Sequence, residues 1–383
     1  MLVDSLDGRV TDNELYSFLS TVTVMKPASD NIGNQWAQGS SGEATKAMGL
    51  VYQMSGNVEV LDQMIRFCDA VLSERNDLAP APVGQHMIWT GRIDPVWPNN
   101  VTGTRVVTGG EQGDTVGHLA YCARSILQKP SIWSRRVPTG DPYGYGVRYL
   151  ERAKTYVRQA DFSVDHHILK SLLDLSHGGR YYFASTPYKT RQPVPWNQQM
   201  MFTYAFSNLA MDHQILGDDP SRAARYQSIV KDNLDGFLKD GIKPYRDRDG
   251  RVAYSWTYAP SSKVVEDSNH GNLDIAGLSR AYIDGRFGVT SAQMKAFADT
   301  FVDVMATRDG NYAGRVDGSD GAGHARATDY IRSGYLLLAQ FRPDAYRSMM
   351  AVDGLRPGGE TNDVGRFSRF LWVKQQRAIS VGD

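Results

Sequence analysis

Cysteine is nearly absent from this 383-residue chain, which has only Cys68 and Cys122. Both fall in apolar helical patterns, so buried free thiols are expected, with one disulfide between them as the alternative. No CxxC or HExxH spacing occurs, and the adjacent His166 and His167 point in different directions on a helix. No metal and no cofactor are therefore expected. GxGxxG and Walker A loops are missing as well, which removes the usual phosphate cradles. Gly39-Ser40-Ser41-Gly42 is not a nucleophile elbow, and "DRDG" fails the spacing of a calcium loop. No apolar run is long enough to span a membrane. The opening MLVDSLDGRV lacks a signal peptide's apolar core, as a chain with its signal removed also would. Net charge is lacking too, since Lys+Arg and Asp+Glu both number 42. That balance argues against a nucleic-acid partner but leaves room for a local basic cleft.

What the chain does have is apolar content, glycine and aromatics. Hydrophobic residues make up 41%, enough for a packed interior, alongside 37 Gly, 20 Tyr and 7 Trp. A helical-hairpin plan recurs. Ala44, Ala47, Leu50, Val51 and Met54 share one face; "SGN" breaks the helix; Val60, Leu61, Met64, Ile65, Cys68, Val71 and Leu72 mark the next. Residues 197–216 and 221–238 repeat the plan around "GDDP", with Pro220 suited to a first turn. Residues 271–284 and 294–305 repeat it around "GRFGVTS". Further helices are expected near 11–24, 114–128, 147–159, 164–175 and 327–340. Strand signal is sparse: a β-hairpin across Asp249-Gly250 and a short strand in "GGRYYFAST". The expected fold is mostly α, an (α/α)n toroid of helical hairpins with a few short β-hairpins, as a single domain over 1–383; an open solenoid is the alternative.

Polar residues gather just before helices. "GGEQGDTVGH" supplies Glu111, Gln112, Asp114 and His118. "VPWNQQ" supplies Trp196, Asn197, Gln198 and Gln199. "EDSNHGN" supplies Glu266, Asp267, Asn269, His270 and Asn272. "NQWAQ" adds Gln35, Trp36 and Gln38. In a toroid these helix starts converge on one cleft, and their partial positive charge favours an anionic ligand. Taken singly, Asp114, Ser268 and Asn269 read equally as N-caps. Tyr254, Trp256 and Tyr258 alternate along "YSWTY", as a platform for sugar rings or as hairpin core. In "GHARATDYIRSGYLLLA", Arg326 and Tyr330 share a face if the stretch is helical. Asn100-Val101-Thr102 is a formal glycosylation sequon.

These residues resemble the α/α-toroid polysaccharide lyases, most closely polysaccharide lyase family 38, the alginate and glucuronan lyases. The resemblance rests on the hairpin plan, on "PWNQQ", on "YSWTY" followed by "EDSNH", and on the Arg/Tyr segment before the last helices. It implies metal-independent β-elimination on an acidic polysaccharide; an extracellular or periplasmic location is expected. It also implies a tyrosine as proton-transfer residue beside an arginine, matched here to Tyr330 and Arg326, with Tyr254, Tyr258 and Tyr335 as other candidates. The chemistry further asks for donors to the uronate carboxylate and a base for C5. Asn269, His270, Gln199, Arg326 and a protonated Glu266 suit the first; Tyr330 or His270 suits the second. Trp196, Asn197, Gln198, Gln199, Tyr254, Trp256, Tyr258, Glu111 and His118 are the expected sugar-holding set. Two rivals stand. An inverting glycoside hydrolase would pair Asp114 or Glu111 with Glu266 or Asp267. A non-catalytic glycan-binding toroid would keep the aromatics without the base.

Overall fold

The computed structural model describes residues 1–99, 101, 105–177, 180–307, 309–352 and 354–381; Asn100 and Thr102 of the sequon lie outside them. In chain order the helices are α1 (Asp12–Val24), α2 (Gly33–Ala37), α3 (Ser40–Ser55), α4 (Val58–Ser73), α5 (Glu111–Leu127) and α6 (Tyr149–Ser163). There follow α7 (Trp196–Leu216), α8 (Pro220–Gly236), α9 (Ser268–Asp284), α10 (Ser291–Asp299), α11 (Tyr346–Val352) and α12 (Val364–Val381). The four described strands form two antiparallel hairpins, β1 (Leu173–His177) with β2 (Arg180–Phe183) and β3 (Ile242–Arg246) with β4 (Val252–Trp256). The fold class is thus mostly α, with helical hairpins and two short β-hairpins, as expected. No described helix is long and apolar enough to cross a membrane.

Local chemistry explains the hairpins. Gly56 closes α3 in the left-handed conformation (φ 65°), and Asn57 Oδ1 caps α4 by accepting from Glu59 N at 2.9 Å. Gly285 (φ 75°) ends α9, and Thr290 with Gln293 forms a capping box for α10. The expected helix over 164–175 ends sooner. After α6 the chain widens into a π-helical stretch, Val164–Leu172, and then enters β1. The same widening follows α8 (Phe237–Gly241) and α10 (Thr300–Met305).

The chain forms two compact units, one of Met1–Thr21, Pro195–Met200 and Leu234–Asp383, the other of Val22–Val194 and Met201–Asn233. In the second unit α5 is buried almost throughout. Its glycines are there for close approach: a Cβ at Gly117 would lie 2.2 Å from the Tyr204 ring, and one at Gly113 2.5 Å from the Met201 backbone. Cys68 and Cys122 are free and buried, as expected.

In the first unit Phe237, Trp256 and Tyr254 pack around Phe297 with ring centroids 4.9–6.1 Å from it. At its other side Lys374 of α12 donates to both Glu14 oxygens of α1, at 2.8 and 2.7 Å, with both side chains fully buried. Glu14 also accepts from Asp4 N and Thr11 N, which ties the N-terminal segment down.

Because a lone buried charge is far worse than a buried pair, Lys374→Met is expected to destabilise by about 3–5 kcal/mol. The double variant Glu14→Gln/Lys374→Met should recover part of that loss. Urea unfolding of the two variants measures both.

Candidate functional site

The first unit brings two of the four polar clusters together. After β4 the chain turns within residues 258–262 and runs back, with Val265 bridged antiparallel to Thr257. Glu266 N donates to Trp256 O (3.0 Å), Val316 N to Glu266 O (3.1 Å) and Ser268 N to Gly314 O (2.8 Å). Glu266 and Asp267 are thereby held between two backbone segments before α9 begins. Asp267, with φ −82° and ψ 159°, is the N-cap, and its Oδ1 accepts from Asn269 N and His270 N, both at 2.9 Å. Neither Ser268 nor Asn269 caps the helix as expected; a carboxylate at this position also meets the positive end of the helix dipole. The start of α7 joins here through Trp196 N, which donates to Tyr258 O at 3.2 Å.

Asp267 Oδ2 lies 2.7 Å from His270 Nδ1. Burial alone would raise the Asp267 pKa, but hydrogen bonds from the His270 ring, His270 N and Asn269 N outweigh it and the net shift is downward. An ionised carboxylate only accepts, so Nδ1 carries a hydrogen, and in the neutral ring Nε2 is the basic nitrogen. Tyr258 and His324 flank the imidazole at 5.3 and 5.5 Å between ring centroids.

The Arg/Tyr segment departs from expectation. Residues 326–332 are not helical; Thr328 instead bridges to Tyr312, and Thr328 Oγ1 donates to Tyr330 O. Local side-chain bonding of this kind competes with a helix. Arg326 and Tyr330 therefore do not share a helix face. The arginine beside Tyr330 is Arg332, whose guanidinium lies 5.5 Å from the Tyr330 ring centroid and donates to Asn269 Oδ1 at 3.0 Å. Arg326 and Tyr330 are both exposed.

Glu266 is fully buried and so is Asp274, which sits two turns into α9. Glu266 Oε1 accepts from Asp267 N at 2.9 Å, and Asp274 Oδ2 accepts from the Trp256 indole at 2.8 Å. Burial, then the neighbouring carboxylates, push the Glu266 pKa well up; Asp274 is raised by burial too. Buried this deeply, Glu266 does not meet a substrate carboxylate directly. Tyr335 is also buried, donates to Ser268 O and has its pKa raised, first by burial. The Tyr254 phenol is raised by burial as well. Neither is the lowered tyrosine that a phenolate base requires. Trp196 and Trp256 are each 2% exposed, so they are core residues rather than a sugar platform. Asn197 and Gln199 are buried, whereas Gln198, Tyr254 and Tyr258 are partly exposed.

Glu266, Asp267 and His270 offer ligand atoms within 4.8 Å of one another, the one such metal-competent set among the described residues. The Asp267 carboxylate is already occupied by two backbone N–H groups and the imidazole, so a cation would have to displace the His270 Nδ1 proton.

In the second unit the other two clusters interlock and satisfy each other. Asp114 is not a cap; it lies in the first turn of α5 and accepts from Lys46 Nζ at 2.7 Å. His118 is fully buried, with Nε2 2.5 Å from Trp36 O and Nδ1 3.4 Å from the Tyr204 hydroxyl, and is not a surface for sugars. A Cβ at Gly33 would strike the Glu111 side chain at 2.3 Å. Glu111 is buried and accepts from Gly109 N and Gln112 Nε2; burial raises its pKa to about 7. His166 and His167 diverge as expected. His166 is exposed, while buried His167 bridges Asp94 (3.1 Å) and Thr108 (2.8 Å).

No protein-family model matches the chain, and no curated protein matches it in sequence. Among solved structures it is similar to one described as glycosyl hydrolase family 88 from Bacteroides vulgatus, at 11% identity and a TM-score of 0.39, covering 97% of this chain and 99% of that one. At that level the likeness assigns no activity.

Removing the cap by Asp267→Ala is expected to cost about 0.5–2 kcal/mol at pH 7. The folded pKa of Asp267 is lowered, so its contribution is present above the unfolded value of about 3.9 and is lost as pH falls through the folded one. The wild-type advantage should therefore shrink between urea unfolding at pH 7 and at pH 3.

Proposed function

We propose that the chain is a single catalytic domain acting on an acidic polysaccharide, a lyase that cleaves a uronic-acid polymer of the alginate or glucuronan type by β-elimination. The observation that carries this reading is the Asp267–His270 couple at the mouth of α9, beside Arg332, Asn269 and Tyr330. Removing the C5 proton of a uronate next to its carboxylate builds charge that must be neutralised. Arg332 is the cation for that carboxylate, held in place through Asn269 Oδ1, and the Asn269 amide N–H groups are the second donors.

His270 Nε2 takes the C5 proton. The C–H electrons form the C4=C5 double bond and the C4–O4 bond breaks. Tyr330, half-exposed under Arg332, gives its proton to O4. The imidazolium and phenolate then re-equilibrate with water, so the cycle consumes no co-reactant. Arg326, Tyr258 and Gln198 are the groups for flanking sugars, and Glu266 acts from behind rather than by contact. An extracellular or periplasmic setting follows from such a substrate.

The second reading is an inverting hydrolase. What favours it is Glu111, whose raised pKa suits a general acid. Incubation with a panel of uronic-acid polymers separates the two. Ultraviolet absorbance from the conjugated product is expected; new reducing ends without absorbance would mean hydrolysis, and neither signal would leave a binding protein.

His270→Ala and Tyr330→Phe should each lower kcat by about 10²–10⁴, and Asn269→Ala by about 10²–10³, with melting temperatures nearly retained. If these residues only cap and coat the helix, kcat of the folded fraction will be unchanged.

A further inference from the structure

The connection between α5 and α6 gathers positive charge without neutralising it. Over residues 133–148, "WSRRVPTGDPYGYGVR", it carries Arg135, Arg136 and Arg148 against a single acid, Asp141, in a chain whose formal net charge is zero. Tyr149 N donates to Arg135 O at 3.2 Å and Val137 N to Val147 O at 3.0 Å, so Arg136 and Arg148 face each other in an antiparallel bridge. Because those bonds run through their neighbours, the two arginines are a non-hydrogen-bonded pair, the kind whose side chains stand closest together. Like charges placed directly opposite in this way cost stability.

All three arginines are exposed, and among the described residues no carboxylate forms an ion pair with any of them. The acids nearby are committed elsewhere. Asp141 accepts from Tyr145 N (2.7 Å), Gly146 N (3.1 Å) and Arg152 Nη2 (3.2 Å). Glu151, in the first turn of α6, accepts from Val147 N and Arg148 N, both at 3.1 Å, rather than from a guanidinium. Asp62 feels the Arg135 charge without an ion pair to it and accepts the Tyr149 hydroxyl instead.

The loop that this bridge closes is held from inside and presents an aromatic ring. Fully buried Arg152 donates to Gly140 O and Gly146 O, both at 2.7 Å, and to the Asp69 carboxylate. Residue 146 must be glycine: its φ is 126°, and a Cβ there would lie 2.7 Å from Glu151 Cβ. On this frame Tyr143 is 50% exposed and stacks on Tyr145, with ring centroids 5.5 Å apart and planes at 20°. One face of the Tyr143 ring is thus backed by protein and the rest is open.

We propose that Arg135, Arg136 and Arg148, with Tyr143, form a second binding surface for an acidic polysaccharide. The arginines take uronate carboxylates, and the Tyr143 ring takes the apolar face of a sugar. A guanidinium fork matches a carboxylate in bidentate fashion, which an ammonium cannot do. An incoming carboxylate also removes the repulsion between Arg136 and Arg148. The surface belongs to the second unit, whereas α9 belongs to the first. A nucleic acid fits less well, because its phosphate backbone is met by a broadly basic domain and this chain has no net positive charge. The choice of a uronate ligand rests on the acidic-polysaccharide reading above; the unneutralised arginines do not.

Affinity electrophoresis of the full chain tests this, in native gels cast with sodium alginate, polyglucuronate or neutral dextran. The parent carries His270→Ala, so that no polymer is cut during the run. An acidic polymer should retard it and dextran should not. Arg136→Gln/Arg148→Gln should weaken that binding about tenfold and Tyr143→Ala about threefold. The Gln pair should melt no lower than the parent, because a repulsion has been removed. Arg136→Lys/Arg148→Lys should recover only part of the binding. If the Gln pair is retarded as strongly as the parent, the proposal is wrong and the polysaccharide reading stands. The proposal is equally wrong if neither acidic polymer retards the parent. Full recovery in the Lys pair, with equal retardation by single-stranded DNA, would reduce the surface to unselective charge and also overturn it. A polymer panel without ultraviolet absorbance, beside a retarded parent and a weakened Gln pair, would remove the lyase reading and leave this surface in place.

Discussion

Two buried carboxyls, Glu266 and Asp274, are the constraint around which this part of the first unit is arranged. Burying Glu266 and Asp274 penalises their charged forms, and each keeps an N–H donor on one oxygen, Asp267 N for Glu266 and the Trp256 indole for Asp274. The neighbouring sequence follows from that. Trp256 is in the core because its indole N–H satisfies Asp274. Residue 271 is glycine because a Cβ there would meet the Tyr335 hydroxyl at 2.7 Å, Val316 at 3.1 Å and Trp256 at 3.3 Å. The extended run 264–267 is clamped by backbone bonds on both sides, which stops Glu266 from swinging out to water.

The result is a site in two tiers. The lower tier is buried: Glu266, Asp274, Trp256 and Tyr335. The upper tier is partly exposed: Asp267, Asn269, His270, Arg332 and Tyr330. Asp267 joins them, since one oxygen caps α9 and the other orients His270. A single cap residue explains the start of the helix. Placing the ring that it holds over two buried carboxyls is what makes this helix mouth different from α4, where Asn57 caps and nothing further follows.

Much of the architecture was legible because helices with one buried face repeat their apolar residues at helical spacing, and glycine and proline punctuate them. The helical-hairpin plan and the turn at Asp249-Gly250 needed nothing more. α12 carries the same signal in Val364, Phe367, Phe370, Leu371 and Ala378, but Lys374 interrupts the stripe; its partner, Glu14, is 360 residues away and invisible to any local pattern. Asp274 was legible in principle. It lies on the buried stripe of α9 with Gly271, Ile275 and Leu278, and an acid on such a stripe marks a special site. The Arg326–Tyr330 spacing misled because helical periodicity was assumed where Thr328 pairs with Tyr312. Nor does sequence spacing distinguish an aromatic that faces solvent from one turned into the core, which is why Trp256 reads equally as sugar platform or hairpin core and Trp196 as a sugar-holding residue, whereas both are buried.

The two pairs of polar clusters also differ in what they leave unused, and that difference bears on where chemistry can occur. Around α5 the groups consume one another. Lys46 neutralises Asp114, Trp36 O fixes His118, and Glu111 is enclosed by Gly33, Gly109 and Gln112. These bonds connect α2, α3 and α5 and rigidify the unit, with Glu111 alone holding a proton near neutrality. Around α9 the outer groups are oriented without being spent. His270 uses Nδ1 and keeps Nε2. Asn269 accepts from Arg332 through its oxygen and keeps its amide hydrogens. Arg332 uses one nitrogen and retains others. A helix mouth built only for stability would have ended at the first set of bonds. Unspent donors and an imidazole with one nitrogen uncommitted, gathered at one helix mouth, are what the proposed anionic substrate requires.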